Sequence, residues 1–340
     1  MSSGKLWGMT SSAPTPVVVS GTNSALSRAG RGTGTGPAVA LVLGSCISLQ
    51  FGAALAMQLF PVFGTWATTS FRLGCAALVL CAVARPRFLS WTRDQWKAVV
   101  AFGFALALMN GFFYASLARI PLGTAVSIEF LGPLLLAAIL SRRGRDLIWV
   151  ALALAGMAVL GVESALGVES LDPLGVLFAL VAGGFWALYV LTSARVGQVI
   201  PGSGGLAMAL VVAAALLVPF SVGHVSALVT DPRLLALALG TAILASLVPY
   251  TFELSALRSL PRPVFGILLS MEPVVASIAG WVLLDQVAGT WRIMAVTLVV
   301  AASIGSTVTA GRAVPGEVPR TTPPQRRGSS PTAPKTPPLS

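Results

Sequence analysis

The sequence predicts an all-α integral membrane protein with ten transmembrane helices, arranged as two inverted five-helix repeats. Its 340 residues are 55% hydrophobic and only 10% charged, whereas an ordinary soluble domain is about one quarter charged. Long apolar runs recur along the chain, and about 20 such residues cross a hydrocarbon core about 30 Å thick. The runs 206–220 and 293–302 do not alternate apolar with polar residues, which excludes a transmembrane barrel. Backbone amides in lipid must pair internally, so we expect helices.

The apolar runs are separated by short segments that hold most of the charged residues. We number the predicted spans in chain order, and they cover residues 37–60, 65–84, 97–118, 121–140, 147–166, 172–194, 204–223, 234–257, 261–284 and 288–310. An even number of spans places both chain termini on the same side of the membrane.

Positive charge orients these spans, because Lys and Arg near spans concentrate in cytoplasmic loops. With the amino terminus inside, only three arginines fall in outer segments and one within a span. The outer arginines are Arg119, Arg233 and Arg292. The other 18 of the 22 basic residues lie inside. We therefore predict a multi-pass protein of the cell (plasma or inner) membrane with both termini cytoplasmic. The net charge of +11 then belongs to the loops and predicts no nucleic-acid partner.

Both ends of the chain have the composition of disordered segments. Residues 1–36 are rich in Ser, Thr and Gly, and their only apolar stretch is too short for a signal peptide. The glycine run at 30–36 lacks the preceding strand and the Lys-Ser or Lys-Thr ending of a phosphate loop. Residues 311–340 contain eight prolines and cannot bury a core. We predict two disordered cytoplasmic tails.

An internal repeat relates the two halves of the chain. Pro121-x11-Pro133 recurs as Pro261-x11-Pro273, at an offset of 140 residues, and each motif leads into an apolar helix. The offset spans five helices, and an odd number reverses direction across the membrane. The predicted domains are thus a first five-helix repeat at 37–166 and a second at 172–310. Inverted repeats are a common plan of secondary transporters, with the site near the midplane.

Two glutamates lie deep inside predicted spans, where an ionisable group costs about 2.5–3.5 kcal/mol on insertion scales. Glu129 follows Pro121 by eight residues and Glu272 follows Pro261 by eleven, about 12 and 16 Å into their helices. The repeat maps Glu272 onto Gly132, one turn from Glu129, so both glutamates occupy equivalent faces. We expect these faces to line one central cavity. Each glutamate could bind a substrate ammonium group or a proton. Alternatively, each could be a neutral structural residue hydrogen-bonded to a neighbouring helix or, for Glu272, to backbone groups freed by a kink at Pro273.

Two further charged residues fall within spans. Arg72 lies about 10 Å inside span 2, where it could bind a substrate carboxylate or form a structural ion pair with a glutamate. Glu253 lies near the cytoplasmic end of span 8, which suits a residue at a gate or rim.

Polar and aromatic residues deep in other spans complete the candidate substrate-binding or proton-coupling set. They are Gln50, Asn110, Tyr114, Trp186, Tyr189 and Tyr250. Aromatic faces suit an ammonium group, although each residue alone is also common in helix packing. Pro249 beside Tyr250 and Asn110–Gly111 occupy corresponding places in the two halves. Interrupted helices at both places would expose backbone groups to a substrate.

The cysteine and histidine residues give little support for an enzymatic activity. Cys46, Cys75 and Cys81 fall inside spans without a CxxC spacing, and His224 is the sole histidine. A histidine-based metal site or catalytic triad is therefore excluded. We predict no catalytic residues, no metal and no cofactor.

Several stretches carry a family resemblance. They are SIEFLGP and SRRGRDLIWV within 127–150, WALYVL at 186–191, the long run VPYTFELSALRSLPRPVFGILLSMEPVVASIAG at 248–280, and AASIGSTVTA at 301–310. Over residues 37–310 the chain resembles the drug/metabolite transporter superfamily, specifically its EamA-type branch. Within that branch these stretches are similar to bacterial inner-membrane exporters of threonine and homoserine.

The resemblance implies efflux of small amino acids, driven by the proton gradient. For the mechanism we expect alternating access, by rocking of the two repeats around the cavity. It also implies a cavity among spans 1, 3, 4, 6, 8 and 9, which agrees with the positions named above. The expected partners are a small amino acid, protons and the bilayer. An EamA-type transporter of another metabolite, or an importer with the same fold, remains an alternative. Phosphate-bearing substrates would need more basic residues than Arg72 alone. A homo-oligomer stays open, because small residues are abundant on nearly every helix.

Overall fold

A computed structural model describes residues 35–140, 147–165, 171–256, 259–260, 262–287 and 289–311. Within these ranges all regular secondary structure is helical. The two predicted tails lie outside them, apart from residues 35–36 and Gly311. The basic loop at 141–146 also lies outside the described residues.

The predicted spans are present as helices. Nine helices in the described ranges are long and apolar enough to cross a membrane, and the shorter apolar segment Leu147–Leu160 corresponds to span 5. The spans formed by one continuous helix each are span 1 (Thr35–Met57), span 3 (Arg93–Leu117), span 5 (Leu147–Ala165), span 6 (Pro173–Val199), span 7 (Gly204–Ser221) and span 10 (Thr290–Gly311). Span 2 (Phe60–Ala84) is helical on both sides of a kink at Gly64, whose φ of 72° is not helical. The chain is an all-α multi-pass membrane protein.

Spans 4 and 9 are each divided into two half-helices. Span 4 consists of Leu122–Glu129 and Leu131–Leu140, and span 9 of Arg262–Leu269 and Glu272–Leu284. In both spans a proline follows shortly, at Pro133 and Pro273. Proline has no N–H for the carbonyl four residues earlier, which disturbs the helix there. The kink expected at Pro273 is found as this break in span 9, whereas the break in span 4 was not predicted.

Span 8 is also irregular. It runs as Pro232–Ala242, a π-helical segment Ile243–Leu247, and Val248–Ala256. A short helix, Val225–Thr230, precedes it in the loop and was not predicted. Span 3, by contrast, continues through Asn110 and Gly111. The expectation of an interruption at Asn110–Gly111 is wrong, because Gly111 instead lets the Trp66 ring pack directly against the backbone.

Helix packing has the same pattern in both halves. Span 3 packs against spans 6 and 7, and span 8 packs against spans 1 and 2; span 4 packs against span 6, and span 9 against span 1. Spans 2 and 7, 4 and 9, and 5 and 10 also pack in pairs. If the halves are exchanged, so that span 1 takes the place of span 6, span 2 that of span 7 and so on, each of these pairs becomes another of the pairs or stays the same. A two-fold relation between the halves requires this. The domain limits at 37–166 and 172–310 stay a prediction.

Small residues allow the closest helix crossings, as is common in membranes. Gly132 of span 4 lies against the backbone of Gly183 of span 6, which in turn approaches the Glu129 carbonyl. Gly52 of span 1 lies against the backbone of Ala245 in the π segment. These crossings hold span 4 close to span 6, and span 1 close to the irregular part of span 8.

An ion pair joins two loops on the predicted outer side. Arg119 lies 2.7 Å from Asp172, and Asp172 also accepts a hydrogen bond from the Leu174 N–H at the start of span 6. The hydrogen bond from Arg119, together with that from Leu174, lowers the pKa of Asp172. Asp172 therefore stays ionised and caps span 6 at neutral pH.

Candidate functional site

Arg72 is buried in the middle of the helical bundle, with 5% of its surface exposed. Its guanidinium donates to the Asn110 amide oxygen and to the Ala245 carbonyl at 3.2 Å. It also lies over the Tyr114 ring, 4.8 Å from the centroid. These hydrogen bonds go to neutral acceptors, and among the residues that the structure describes no ion pair joins Arg72 to a glutamate. The buried cation of span 2 is thus held by contacts with spans 3 and 8.

The Ala245 carbonyl is free to accept from Arg72 because of Pro249. Proline lacks an N–H. The Ala245 carbonyl, four residues earlier, therefore has no α-helical donor at position 249. The Leu244 carbonyl, five residues earlier, has no π-helical donor there. Ser48 of span 1 donates to the Leu244 carbonyl at 2.8 Å. Side chains from spans 1 and 2 therefore satisfy both carbonyls of the irregular segment, and they tie span 8 to the opposite half of the chain.

Glu129 and Glu272 lie at the breaks of spans 4 and 9. Glu129 ends the first half-helix of span 4 and Glu272 begins the second half-helix of span 9. Each is 8% exposed. Glu129 interacts electrostatically with Glu272 and with Arg72, and Glu272 with Glu253. The structure thus brings Glu129 within electrostatic range of both Glu272 and Arg72.

Three buried polar atoms near this centre have no hydrogen-bond partner among the described residues. They are Gln50 Oε1, Arg72 Nε and the Tyr114 hydroxyl, on residues that are 2%, 5% and 1% exposed. Cys46, one turn before Gln50, interacts electrostatically with Glu272. This places the same face of span 1 towards span 9. Buried polar groups are normally satisfied, so these atoms are ready to bind a ligand or water.

We name six of the predicted residues the central polar cluster. They are Gln50, Arg72, Asn110, Tyr114, Glu129 and Glu272. They come from spans 1, 2, 3, 4 and 9, and span 8 contributes the Ala245 carbonyl. The cluster offers a cation, two carboxyl groups and neutral donors and acceptors in a buried site, which is the chemistry needed to hold a small zwitterion.

Glu253 lies outside this centre and is linked to span 1. It accepts a hydrogen bond from the Ser45 hydroxyl at 2.7 Å and is partly buried. Its predicted role at a gate or rim is compatible with this position and stays a prediction.

The aromatic candidates take different places. Trp186 packs edge-on against Phe130, with ring centroids 4.8 Å apart, so it lies beside the break in span 4. Tyr189 packs against Phe102 at 5.2 Å, and Phe102 is about 12 Å along span 3 from Asn110. The side chain of Tyr250 lies outside the described residues. Trp186 therefore borders the centre, whereas the Tyr189–Phe102 contact is distant from Asn110.

Sequence reasoning missed several groups at this site. They are the Ala245 and Leu244 carbonyls and the side chains of Ser45, Ser48 and Phe130. Pro249 predicted exposed backbone groups in span 8, but it did not indicate that side chains of spans 1 and 2 would bond these two carbonyls. The serines carried no such signal. Among the described residues, no group of three or more His, Cys, Asp or Glu side chains could hold a metal ion.

Comparison with known proteins decides the family. Residues 173–308 match the EamA-like transporter family. The chain is 37% identical over 265 residues to the threonine/homoserine exporter RhtA of Salmonella typhimurium, covering 78% of this chain and 89% of that protein. The chain belongs to the EamA-like transporter family. It is therefore a multi-pass membrane transporter rather than an enzyme.

Further comparisons match most of the chain at identities from 36% down to 20%. The threonine/homoserine exporter RhtA of Escherichia coli K12 is 36% identical over 271 residues, which is 80% of this chain and 91% of the relative. The uncharacterized transporter YwfM of Bacillus subtilis is 29% identical over 255 residues, covering 72% and 79%. A solved crystal structure has the same fold, with a TM-score of 0.53 and 20% identity. It covers 81% of this chain and 98% of its own.

Proposed function

We propose that the chain exports small amino acids of the threonine and homoserine type across the cytoplasmic membrane. The observation that carries this proposal is the identity of 36–37% with threonine/homoserine exporters, which covers about nine tenths of their length. The buried site adds chemical support, because it combines the charges that a zwitterionic amino acid requires.

In this proposal the central polar cluster binds the substrate. Arg72 Nε, which is buried without a partner, receives the substrate carboxylate. Guanidinium–carboxylate hydrogen bonds are among the strongest in proteins. The ammonium group lies against Glu129 or Glu272. The partnerless Gln50 Oε1 and Tyr114 hydroxyl then bind the side-chain hydroxyl that threonine and homoserine share.

Proton coupling would use the same glutamates. Glu129 interacts electrostatically with both Glu272 and the buried Arg72. Two carboxyl groups beside one cation favour a state in which one carboxyl holds a proton. Binding of a substrate ammonium would displace that proton, and loss of the substrate would allow another to bind. Such competition at one site is sufficient for exchange of substrate against protons.

Alternating access would proceed by movement of the two halves against each other. The symmetric packing of spans from the two halves supports this mechanism. Spans 4 and 9 pack where Gly123 lies against Ser277, at the ends that the charge distribution places outside. Gln286 Oε1 accepts from the Leu122 N–H at 3.0 Å at the same end. Opening there would require this contact to break.

Efflux from loaded cells tests the proposal. Cells with and without the protein are loaded with labelled threonine, and efflux is followed before and after collapse of the proton gradient. We expect faster efflux with the protein and a return towards the control rate after collapse. A rate equal to that of control cells for threonine and homoserine alike would discard the substrate. An unchanged rate after collapse would discard proton coupling alone.

A further inference from the structure

An open groove of ≈ 680 Å³ lies between spans 3 and 6, away from the central polar cluster. We call it the interfacial groove. Its lining residues are Trp91, Arg93, Trp96, Lys97, Val100, Ala101, Phe104, Leu188 and Thr192. None of these lining residues belongs to the central polar cluster that the proposed function assigns to the amino acid.

The interfacial groove changes from charged to apolar along its length. Arg93 and Lys97 lie at its mouth, in the first turns of span 3, and both are exposed. Val100 and Phe104 continue the same stripe of the helix and are 48% and 45% exposed. Residues three, four and seven positions apart lie on one face, so the groove extends about 10 Å from cation to ring.

Local contacts hold the mouth of the groove in place. The Gln95 amide donates to the Val199 carbonyl at 2.7 Å, which joins the start of span 3 to the end of span 6. The rings of Trp91 and Trp96 pack with centroids 5.6 Å apart. Tryptophan is enriched where a bilayer meets water, so the mouth lies at the level of lipid head groups and the apolar end lies among acyl chains.

We propose that the interfacial groove binds an anionic phospholipid, whose phosphate lies between Arg93 and Lys97 and whose acyl chain runs between spans 3 and 6. Charge complementarity selects this occupant. The acidic residue beside these positive charges is Asp94, which lies 3.5 Å from Lys97. Both side chains are highly exposed, and ion pairs between exposed side chains are weak. Arg195, one turn beyond Thr192 on span 6, is also exposed. Basic pockets between helices on the cytoplasmic side are suited to anionic head groups.

Lipid binding to the full chain tests this proposal. Purified protein is mixed with phosphatidylglycerol or phosphatidylcholine of identical acyl chains, and bound lipid is counted by native mass spectrometry. We expect phosphatidylglycerol to bind at least about tenfold more tightly than phosphatidylcholine, because each nearby cation favours an anionic head group. The double variant Arg93→Gln/Lys97→Gln should lose this preference.

Two further variants separate the groove from the rest of the surface. Arg85→Gln/Arg87→Gln removes two exposed cations on the same predicted side but outside the groove, and should keep the preference. Ala101→Phe fills the groove without a change of charge, and should weaken binding of both lipids. Equal binding of the two lipids by the unaltered protein would overturn the proposal. It would also be overturned if the Arg85/Arg87 variant lost as much binding as the Arg93/Lys97 variant.

Discussion

The Arg72 guanidinium donates a hydrogen bond to the Ala245 carbonyl at 3.2 Å, in the place of the helical donor that Pro249 cannot provide. This contact joins span 2 of the first half to span 8 of the second. A buried cation and an irregular helix, which would each be costly alone, thereby satisfy each other. The remaining donor capacity of Arg72, at Nε, is what the proposed function assigns to the substrate.

Arg72→Lys is expected to reduce threonine efflux by at least about tenfold, about 1.4 kcal/mol. Lysine retains the charge but lacks the planar fork that bonds Asn110, Ala245 and a carboxylate together. Efflux from loaded cells is the measurement, normalised to protein in the membrane. Arg119→Lys, at the exposed pair with Asp172, is the matched control and should transport normally. Normal efflux by Arg72→Lys would contradict the assigned role.

Pro249→Ala is expected to retain or raise thermal stability and to slow efflux several-fold. Alanine supplies an N–H for the Ala245 carbonyl, which favours a regular helix over the π segment Ile243–Leu247. Stability gained at a strained functional segment commonly lowers activity. The control is Pro219→Ala, because Pro219 also lies inside a helix but is exposed. Equal efflux from both variants would show that the π segment has no part in transport.

Glu129→Gln and Glu272→Gln are expected to separate transport from its dependence on the proton gradient. Glutamine keeps the size and hydrogen bonding of the side chain but cannot exchange a proton. The coupling glutamate is the one whose replacement slows net efflux by about tenfold or more and leaves the residual rate insensitive to gradient collapse. Asp285→Asn, at the exposed end of span 9, provides the control. If both glutamine variants respond to gradient collapse like the unaltered protein, neither glutamate couples protons.

Gly183→Ala is expected to destabilise the protein by about 1–3 kcal/mol, as overpacking generally does. A Cβ at Gly183 would lie 2.7 Å from the Glu129 carbonyl, so spans 4 and 6 would have to separate. Gly184 is the adjacent control, because a Cβ there would meet nothing within 4 Å. The thermal midpoint of the detergent-solubilised protein, followed by size-exclusion chromatography, compares the two. Equal midpoints would mean that the crossing is looser than the structure shows.

Much of the fold follows from composition, because only helices satisfy backbone groups in lipid. The apolar runs predicted the spans, and the positions of Pro121, Pro133, Pro261 and Pro273 predicted the repeat. Pro273 predicted the kink in span 9, and Pro133 could equally have predicted the break in span 4, since each proline leaves a carbonyl without a donor. The break expected at Asn110–Gly111 did not form, because Gly111 serves close packing with Trp66.

The candidate site was harder to predict than the fold. Burial cost alone identified Arg72, Glu129 and Glu272, and in the structure Glu129 interacts electrostatically with both of the others. Sequence could not reveal that Arg72 bonds a carbonyl and an amide rather than a glutamate, because that depends on how spans 2, 3 and 8 meet. Nor could the sequence show that Trp186 borders the site, where it packs against Phe130, whereas Tyr189 packs against Phe102, away from the site.

The most direct test of the central claim is uptake of labelled threonine by counterflow into vesicles. Purified protein is reconstituted into liposomes preloaded with unlabelled threonine, and Arg72→Lys vesicles are prepared in parallel. The account predicts transient accumulation of labelled threonine with the unaltered protein, competition by homoserine, and at least about tenfold less accumulation with Arg72→Lys. Accumulation no greater than in protein-free liposomes would contradict the claim that this transporter carries threonine.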